Sequence, residues 1–389
     1  MKFGILFGTG GPVKPPGSDD WPADRERRYF AELLDQAELA DRLGFDYLWA
    51  TEHHFTPDFS HFADPMLVLA AASQRTRTIR LGTGIMQLSH RHPVLAAESI
   101  AMLDQLSGGR AEFGVGTGYP AERLPFTGEE DGTARRREAV PQVARMLASR
   151  GRYPGFSGTH FGIPPLNIVP KALQRPHPPL WLACSRPETI TEAATTGMGA
   201  LVLSFAGIEQ LAGQVSHYWQ TIRSGCVPAG LAINPAVATF TIALLASTDE
   251  EAHARADEGV GYSAFGGIAH DGTYANAAEV NVYRDYLAAR NGPVDSPASQ
   301  LLAAFTASPG HLVGSVETVL GKLRAVEATG VDMVVMALRA GQITHEHALE
   351  TIEGFGRHIL PEFRKRHPEH LVWRTAQLGP MGARVSSSI

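Results

Sequence analysis

One pattern of apolar and polar positions recurs along the chain. A stretch with helical spacing ends at a glycine, and a short, continuously apolar run begins two or three residues later. The stretch Glu38 to Leu43 closes at Gly44 and is followed by Tyr47-Leu48-Trp49-Ala50. The same order returns at Gly197 before Ala200 to Leu203, and at Gly330 before Met333 to Ala337. Glycine just past a helix takes the left-handed conformation that side chains resist. A strand apolar at every position is buried on both faces, as in parallel sheets. Eight strands are predicted, near residues 3–7, 46–50, 79–86, 111–116, 179–184, 199–204, 236–246 and 332–337. Between them the apolar positions keep helical spacing, as in Phe30, Leu33, Leu34 and Ala37, or Ala348, Ile352, Phe355 and Ile359. Eight strand–helix units point to an α/β fold, a (β/α)8 TIM barrel, with a doubly wound sheet as the alternative.

Length then sets where the extra chain must go. A bare barrel needs about 250 residues, and this chain has 389. The surplus is expected in insertions at residues 8–23, 117–131, 151–178 and 249–312, within one domain over 1–365, followed by a tail at 366–389. From Leu378 onward the tail is small and polar and is expected to fray. The largest insertion, 249–312, carries Tyr262, Phe265, Tyr274, Tyr283 and Tyr286. It reads equally as a lid over the C-terminal mouth or as a helical pair packed outside.

Composition narrows the function classes. A hydrophobic fraction of 44% supports a large core and excludes a disordered chain. The net charge of −6 gives no attraction to nucleic acid or membrane, and no apolar run approaches a membrane span. Two cysteines exclude a disulfide scaffold and point to a reducing, cytoplasmic setting. Arg135-Arg136-Arg137 reads as a solvated helix face, and Cys184 as a small core residue.

Barrel chemistry sits on the loops that follow the strands. After the second strand comes Thr51-Glu52-His53-His54-Phe55. Imidazoles there suit proton transfer, so His53 and His54 are the candidate catalytic residues. Adjacent histidines diverge, and no metal site is expected from them. After the third strand come Gly82-Thr83-Gly84-Ile85 and Ser89-His90-Arg91-His92-Pro93. The glycines admit a planar ligand close to the backbone, and the two histidines before Pro93 read as capping or packing residues. Gly114-Val115-Gly116-Thr117-Gly118 follows the fourth strand and matches a dinucleotide fingerprint only loosely; its glycines are expected to keep the mouth open. After the fifth strand, Ser185 and Glu188 have capping-box spacing. Equally, Ser185, Arg186 and Thr189 at a helix start would hold a phosphate. No Ser-His-Asp arrangement is suggested.

These residues together resemble the bacterial luciferase-like monooxygenase family over residues 1 to about 365. The resemblance rests on Glu52-His53-His54-Phe55-Thr56, on Leu81 to Ile85 running through His92-Pro93-Val94 to Gly108-Gly109-Arg110, on Pro178 to Thr189, and on Gly314 to Phe363. It implies a (β/α)8 barrel that uses reduced FMN from a separate NAD(P)H:flavin reductase. It further implies a C4a-(hydro)peroxyflavin, formed with O2, that oxygenates a substrate; the aromatic residues of the insertions point to a small apolar organic molecule. His53 matches the family's catalytic histidine. Thr83 and Gly84 match positions lining the flavin ring, with a non-prolyl cis peptide at Gly84-Ile85, and Gly116 and Thr117 lie beside the cofactor. Ser185 matches a phosphate-contacting serine, which favours the phosphate reading of Ser185, Arg186 and Thr189. Homodimerisation through the helices after the second and third strands is implied as well. Thr117 stands where many members carry a phosphate-pairing arginine. That departure keeps a coenzyme F420-dependent oxidoreductase of the same superfamily open as the alternative, beside a non-catalytic flavin-binding partner subunit.

Overall fold

The computed structural model describes residues 1–10, 23–55, 59–128, 130–203, 207–269, 282–296, 299–300, 303, 308–341 and 343–379. Eight parallel strands form its centre: β1 (Lys2–Phe7), β2 (Tyr47–Ala50), β3 (Arg80–Thr83), β4 (Ala111–Gly116), β5 (Leu180–Cys184), β6 (Gly199–Leu203), β7 (Val237–Leu245) and β8 (Met333–Ala337). Each pairs with the next, and β8 pairs with β1 in the register Lys2↔Met333 to Leu6↔Ala337, so the sheet closes on itself. Closure removes both sheet edges and confirms the barrel over the doubly wound sheet.

Local signals explain the boundaries. Gly44, Gly197 and Gly330 all have positive φ, at 82°, 67° and 83°, as the helix–glycine–strand pattern requires. Asp64 accepts a hydrogen bond from the Met66 amide, and Pro65 opens the helix Pro65–Arg75. His92 caps the helix Pro93–Ser107 through Nδ1, which accepts from the Val94 amide.

Large rings fill the interior of the barrel. Trp49 from β2 and Trp181 from β5 meet edge to face, with ring centroids 5.4 Å apart. Room for them comes from two glycines on adjoining strands. A Cβ on Gly82 would lie 2.4 Å from the Trp49 ring, and one on Gly199 would lie 2.3 Å from the Trp181 ring. The Trp181 indole N–H donates to the buried Glu112 carboxylate, whose other oxygen pairs with Arg80.

The insertions and the C-terminus modify the sequence reading. Residues 151–178 form a short antiparallel hairpin, Phe156–Ser157 with Gly162–Ile163. From the 249–312 insertion, Ala252, Ala256 and Val260 of helix Asp249–Ala269 join the apolar cluster that includes Ile242 and Leu244 of β7 and Ile343 beyond β8. The side chains of Tyr262, Phe265, Tyr274 and Tyr283 lie outside the described residues, as does the end of the tail from 380. Residue 365 falls within the helix Leu360–Leu378, so the helix runs across the boundary at which a tail is expected. Buried Arg374 explains this, because its guanidinium donates to the Pro235 carbonyl at 2.7 Å ahead of β7. Arg136 also departs from the expected solvated face. It is 3% exposed and pairs with Glu192 at 2.8 Å, joining helix Gly132–Ala148 to helix Pro187–Thr195.

Substituting Gly82→Ala is expected to overpack the barrel interior and cost about 1–3 kcal/mol. Urea unfolding measures this, and an unchanged midpoint would contradict the packing of Trp49 against Gly82.

Candidate active site

The C-terminal ends of β2, β3, β4 and β5 are neighbours by strand order, so their loops share one side of the mouth. The loop after β2 begins with Thr51, whose hydroxyl donates to the Gly8 carbonyl beyond β1. Next comes Glu52, a carboxylate only 1% exposed. One of its oxygens accepts from His54 Nε2 at 3.2 Å and lies 3.3 Å from His90 Nε2. The other accepts from the Gln87 backbone N–H at 3.2 Å and lies 3.8 Å from the Arg91 guanidinium. Burial alone would raise the Glu52 pKa. The hydrogen bonds from His54 and His90 and the charge of Arg91 outweigh it and hold the carboxyl at about 2.

His53 takes a different partner. Its Nδ1–H donates to Glu122 Oε1 at 2.9 Å, and Glu122 is buried. The tautomer that makes this bond leaves Nε2 as the basic nitrogen, and Nε2 has no hydrogen-bond partner among the described residues. The His53 ring packs edge-on against Phe59 and lies near-parallel to Tyr119. Gln87 links the two carboxylates: its side-chain N–H2 donates to the Glu52 carbonyl at 2.9 Å and to Glu122 Oε2 at 2.7 Å. The buried Gln87 Oε1 has no partner. The structure therefore separates the two sequence-adjacent histidines, placing His53 on Glu122 and His54 on Glu52.

Glu122 is the site residue that sequence reasoning missed. It lies in the first turn of the short helix Pro120–Thr127, which follows β4 where an insertion is expected. Pro120 at its first position is the signal that marks this helix start. The same helix brings Phe126, which stacks on His90 at 4.4 Å between centroids and lies 5.6 Å from Phe55. Phe55 is 65% exposed and has a φ of 60°, a strained value for a bulky residue.

The residues expected to hold a cofactor fall into two groups. Thr83 is buried, and its hydroxyl donates to the Gly114 carbonyl and accepts from the Gly114 N–H, so its side chain serves strand pairing. Gly116 is buried too, and a Cβ there would lie 2.6 Å from Ile85; this glycine makes room for Ile85 rather than opening the mouth. Gly84 is partly exposed, and the Gly84-Ile85 peptide is cis, as the resemblance implies. Thr117 contributes a carbonyl that accepts from Ser89.

At the end of β5 the predicted capping box does not form. The N-cap is Arg186, one residue later than Ser185, and the Thr189 hydroxyl accepts from the Arg186 amide and donates to its carbonyl. Ser185 and Arg186 are exposed at this helix start, and the Arg186 guanidinium makes no ion pair among the described residues. A hydroxyl, a guanidinium and a helix N-terminus form a donor set that suits a phosphate dianion. Cys184 just before them is buried, which pushes its thiol up to about 12 and makes it a core residue rather than a nucleophile.

Comparison with known proteins now bears on this geometry. Residues 1–333 match the family model for luciferase-like monooxygenases. The chain belongs to the luciferase-like monooxygenase family. It is 25% identical to the oxygenase component of a flavin-dependent trigonelline monooxygenase from Acinetobacter baylyi, over 87% of this chain and 91% of that protein. A protein from Sinorhizobium fredii is 43% identical, but the match covers 44% of this chain and about half of that protein (49%). Among solved structures, the monooxygenase RslO1 from Streptomyces bottropensis superposes with a TM-score of 0.70 at 28% identity, covering 93% of this chain and 100% of that one. The coenzyme F420-dependent tetrahydromethanopterin reductase from Methanopyrus kandleri shares the fold, with a TM-score of 0.67 at 19% identity, covering 93% and 99%. Among the described residues no helix is long and apolar enough to cross a membrane.

Replacing Glu52 by Gln is expected to destabilise the protein near neutral pH by roughly 1.5–3 kcal/mol, the worth of a charge-assisted hydrogen bond. Glu52 has a folded pKa of about 2, below its ordinary 4.5. Its contribution is therefore full above pH 4.5 and disappears as pH falls towards about 2. Urea unfolding of wild type and Glu52→Gln at successive pH values should converge in that window; a constant difference would refute the assignment.

Proposed function

We propose that this chain is the oxygenase of a two-component monooxygenase that takes reduced FMN from a separate NAD(P)H:flavin reductase and uses O2 to oxygenate a small apolar organic molecule. The observation that carries this reading is His53, held on buried Glu122 with Nε2 left to act, within a luciferase-like barrel. The flavin-dependent oxygenase component from Acinetobacter baylyi supports both the cofactor and the separate reductase.

Ser185, Arg186 and the helix start at Pro187 would hold the phosphate, with Thr189 fixing the N-cap. The partly exposed Gly84-Ile85 peptide and Thr117 would line the ring, and the unpartnered Gln87 Oε1 is the acceptor for one ring N–H. When bound, reduced flavin supplies the two electrons that activate O2. His53 Nε2 accepts or returns the proton that this chemistry moves, while Glu122 fixes its tautomer and stabilises the imidazolium. Phe55 and Phe126, with Leu124, give the mouth exposed apolar surface. That surface favours an apolar substrate and limits water near the reacting centre. The helix Asp249–Ala269 begins the lid that completes this exclusion.

A second reading, hydride transfer with F420, is favoured by one observation: Thr117 places no guanidinium beside β4. Mixing the protein, preloaded anaerobically with FMNH2, with oxygenated buffer separates the readings. Under the first, the protein changes the rate of flavin reoxidation, and His53→Ala lowers turnover by about 100-fold or more. Glu122→Ala follows His53→Ala in direction. Arg186→Ala weakens FMNH2 binding while leaving the fold intact. Reoxidation identical to that of free FMNH2, together with reduction of bound F420, would select the second reading.

Leu67, Leu95, Met102 and Leu106 lie exposed on helices Pro65–Arg75 and Pro93–Ser107. An apolar patch of this kind supports a homodimer through these two helices. Sedimentation should show Met102→Glu shifting the protein to monomer; a monomeric wild type would refute the dimer.

A further inference from the structure

The cluster of Glu52, His54 and His90 is larger than the proton chemistry of His53 requires. From these residues we propose a binding site for one divalent transition ion of the Zn(II) class, formed by Glu52 Oε1, His54 Nε2 and His90 Nε2. The three atoms lie within 4.8 Å of one another. The two edges that meet at Glu52 Oε1 are 3.2 Å to His54 and 3.3 Å to His90. Around a tetrahedral ion with bonds of ~2.0–2.1 Å, neighbouring ligand atoms are separated by roughly 3.3–3.4 Å. The two edges at Glu52 are therefore already those of such a site, and the third, between the two imidazoles, lies within 4.8 Å.

The surroundings match as well. Glu52 is ionised and buried, and its second oxygen is anchored by the Gln87 amide, so the ligand oxygen is fixed. Arg91 faces that second oxygen, and Asp64 takes the same guanidinium at 3.4 Å, which balances the added positive charge. Phe126 lies flat on His90 and edge-on to His54, shielding the cluster from bulk water. Ser89 Oγ lies 3.5 Å from His90 Nδ1, within reach of the proton that moves to Nδ1 when Nε2 takes a metal. Two imidazoles and one carboxylate select borderline ions such as Zn(II) and Co(II) over Mg(II). Along the sequence these loops suggest the pairs His53-His54 and His90-x-His92. The fold instead combines one histidine from each loop, using His53 on Glu122 and His92 as a helix cap. A bound ion joins the loop after β2 to the loop after β3 and holds both sides of His53.

The test titrates chelator-treated, flavin-free protein with Co(II) and Zn(II) chloride. The expected result is one equivalent of Co(II) giving the visible absorption of a four-coordinate ion, displaced by Zn(II) and unaffected by excess Mg(II). His90→Gln retains a hydrogen-bond donor toward Glu52 but is a poor ligand, so it should fold normally and bind at least 10-fold more weakly. His54→Gln should do the same. Zn(II) should raise the Tm of wild type and not that of either variant. Failure of the folded wild type to bind stoichiometrically overturns the site. Equal binding by wild type and both Gln variants shows an adventitious ion elsewhere and also overturns it. The readout involves no flavin, so its failure is distinct from failure of the monooxygenase reading.

Discussion

A carboxylate taken out of water must be matched by donors, or it becomes neutral. Glu52 meets that condition by drawing on two loops at once. Its partners are His54 from its own loop, and His90, Arg91 and the Gln87 amide from the stretch after β3. The charge therefore fixes the relative position of two chain segments that strand pairing alone leaves free beyond Ala50 and Thr83. His53 sits between Glu52 and His54, and its own amide donates to the Phe62 carbonyl, so the backbone is held on both sides of the His53 imidazole. Gln87 passes the constraint on to Glu122, and through it to the tautomer of His53.

The barrel was legible because its determinants are local. Gly44, Gly197 and Gly330 mark helix ends by conformation, and the apolar strands mark their own burial. Features that depend on distant partners were not. Arg136 looks like any surface arginine until helix Pro187–Thr195 brings Glu192 to it. Arg374 looks like part of a polar tail until the Pro235 carbonyl needs a donor. A buried cation's partner is a property of the fold and leaves no trace in residue spacing.

The site divides in the same way. His53 and His54 are legible as candidates because they lie together in the sequence directly after a strand. Glu122 is 69 residues from His53 and lies in a segment with no strand or helix periodicity long enough to register. At β5, Ser185 and Glu188 had the spacing of a capping box, but Pro187 at the first helical position moved the N-cap to Arg186. That shift leaves the Ser185 hydroxyl outside the cap. In both places a single proline determined the local geometry, through the helix start that it fixes.

The two tryptophans inside the barrel carry a consequence for its evolutionary history. Each ring occupies the volume that a side chain on a neighbouring strand would need: Trp49 that of Gly82, and Trp181 that of Gly199. The strands share a closed barrel, so neither can slide away to relieve a clash. A larger residue at Gly82 becomes tolerable only after Trp49 shrinks, and a smaller residue at Trp49 leaves a void that a side chain at Gly82 is placed to fill. The order of substitution is thereby restricted, and these positions should covary as pairs among homologous barrels.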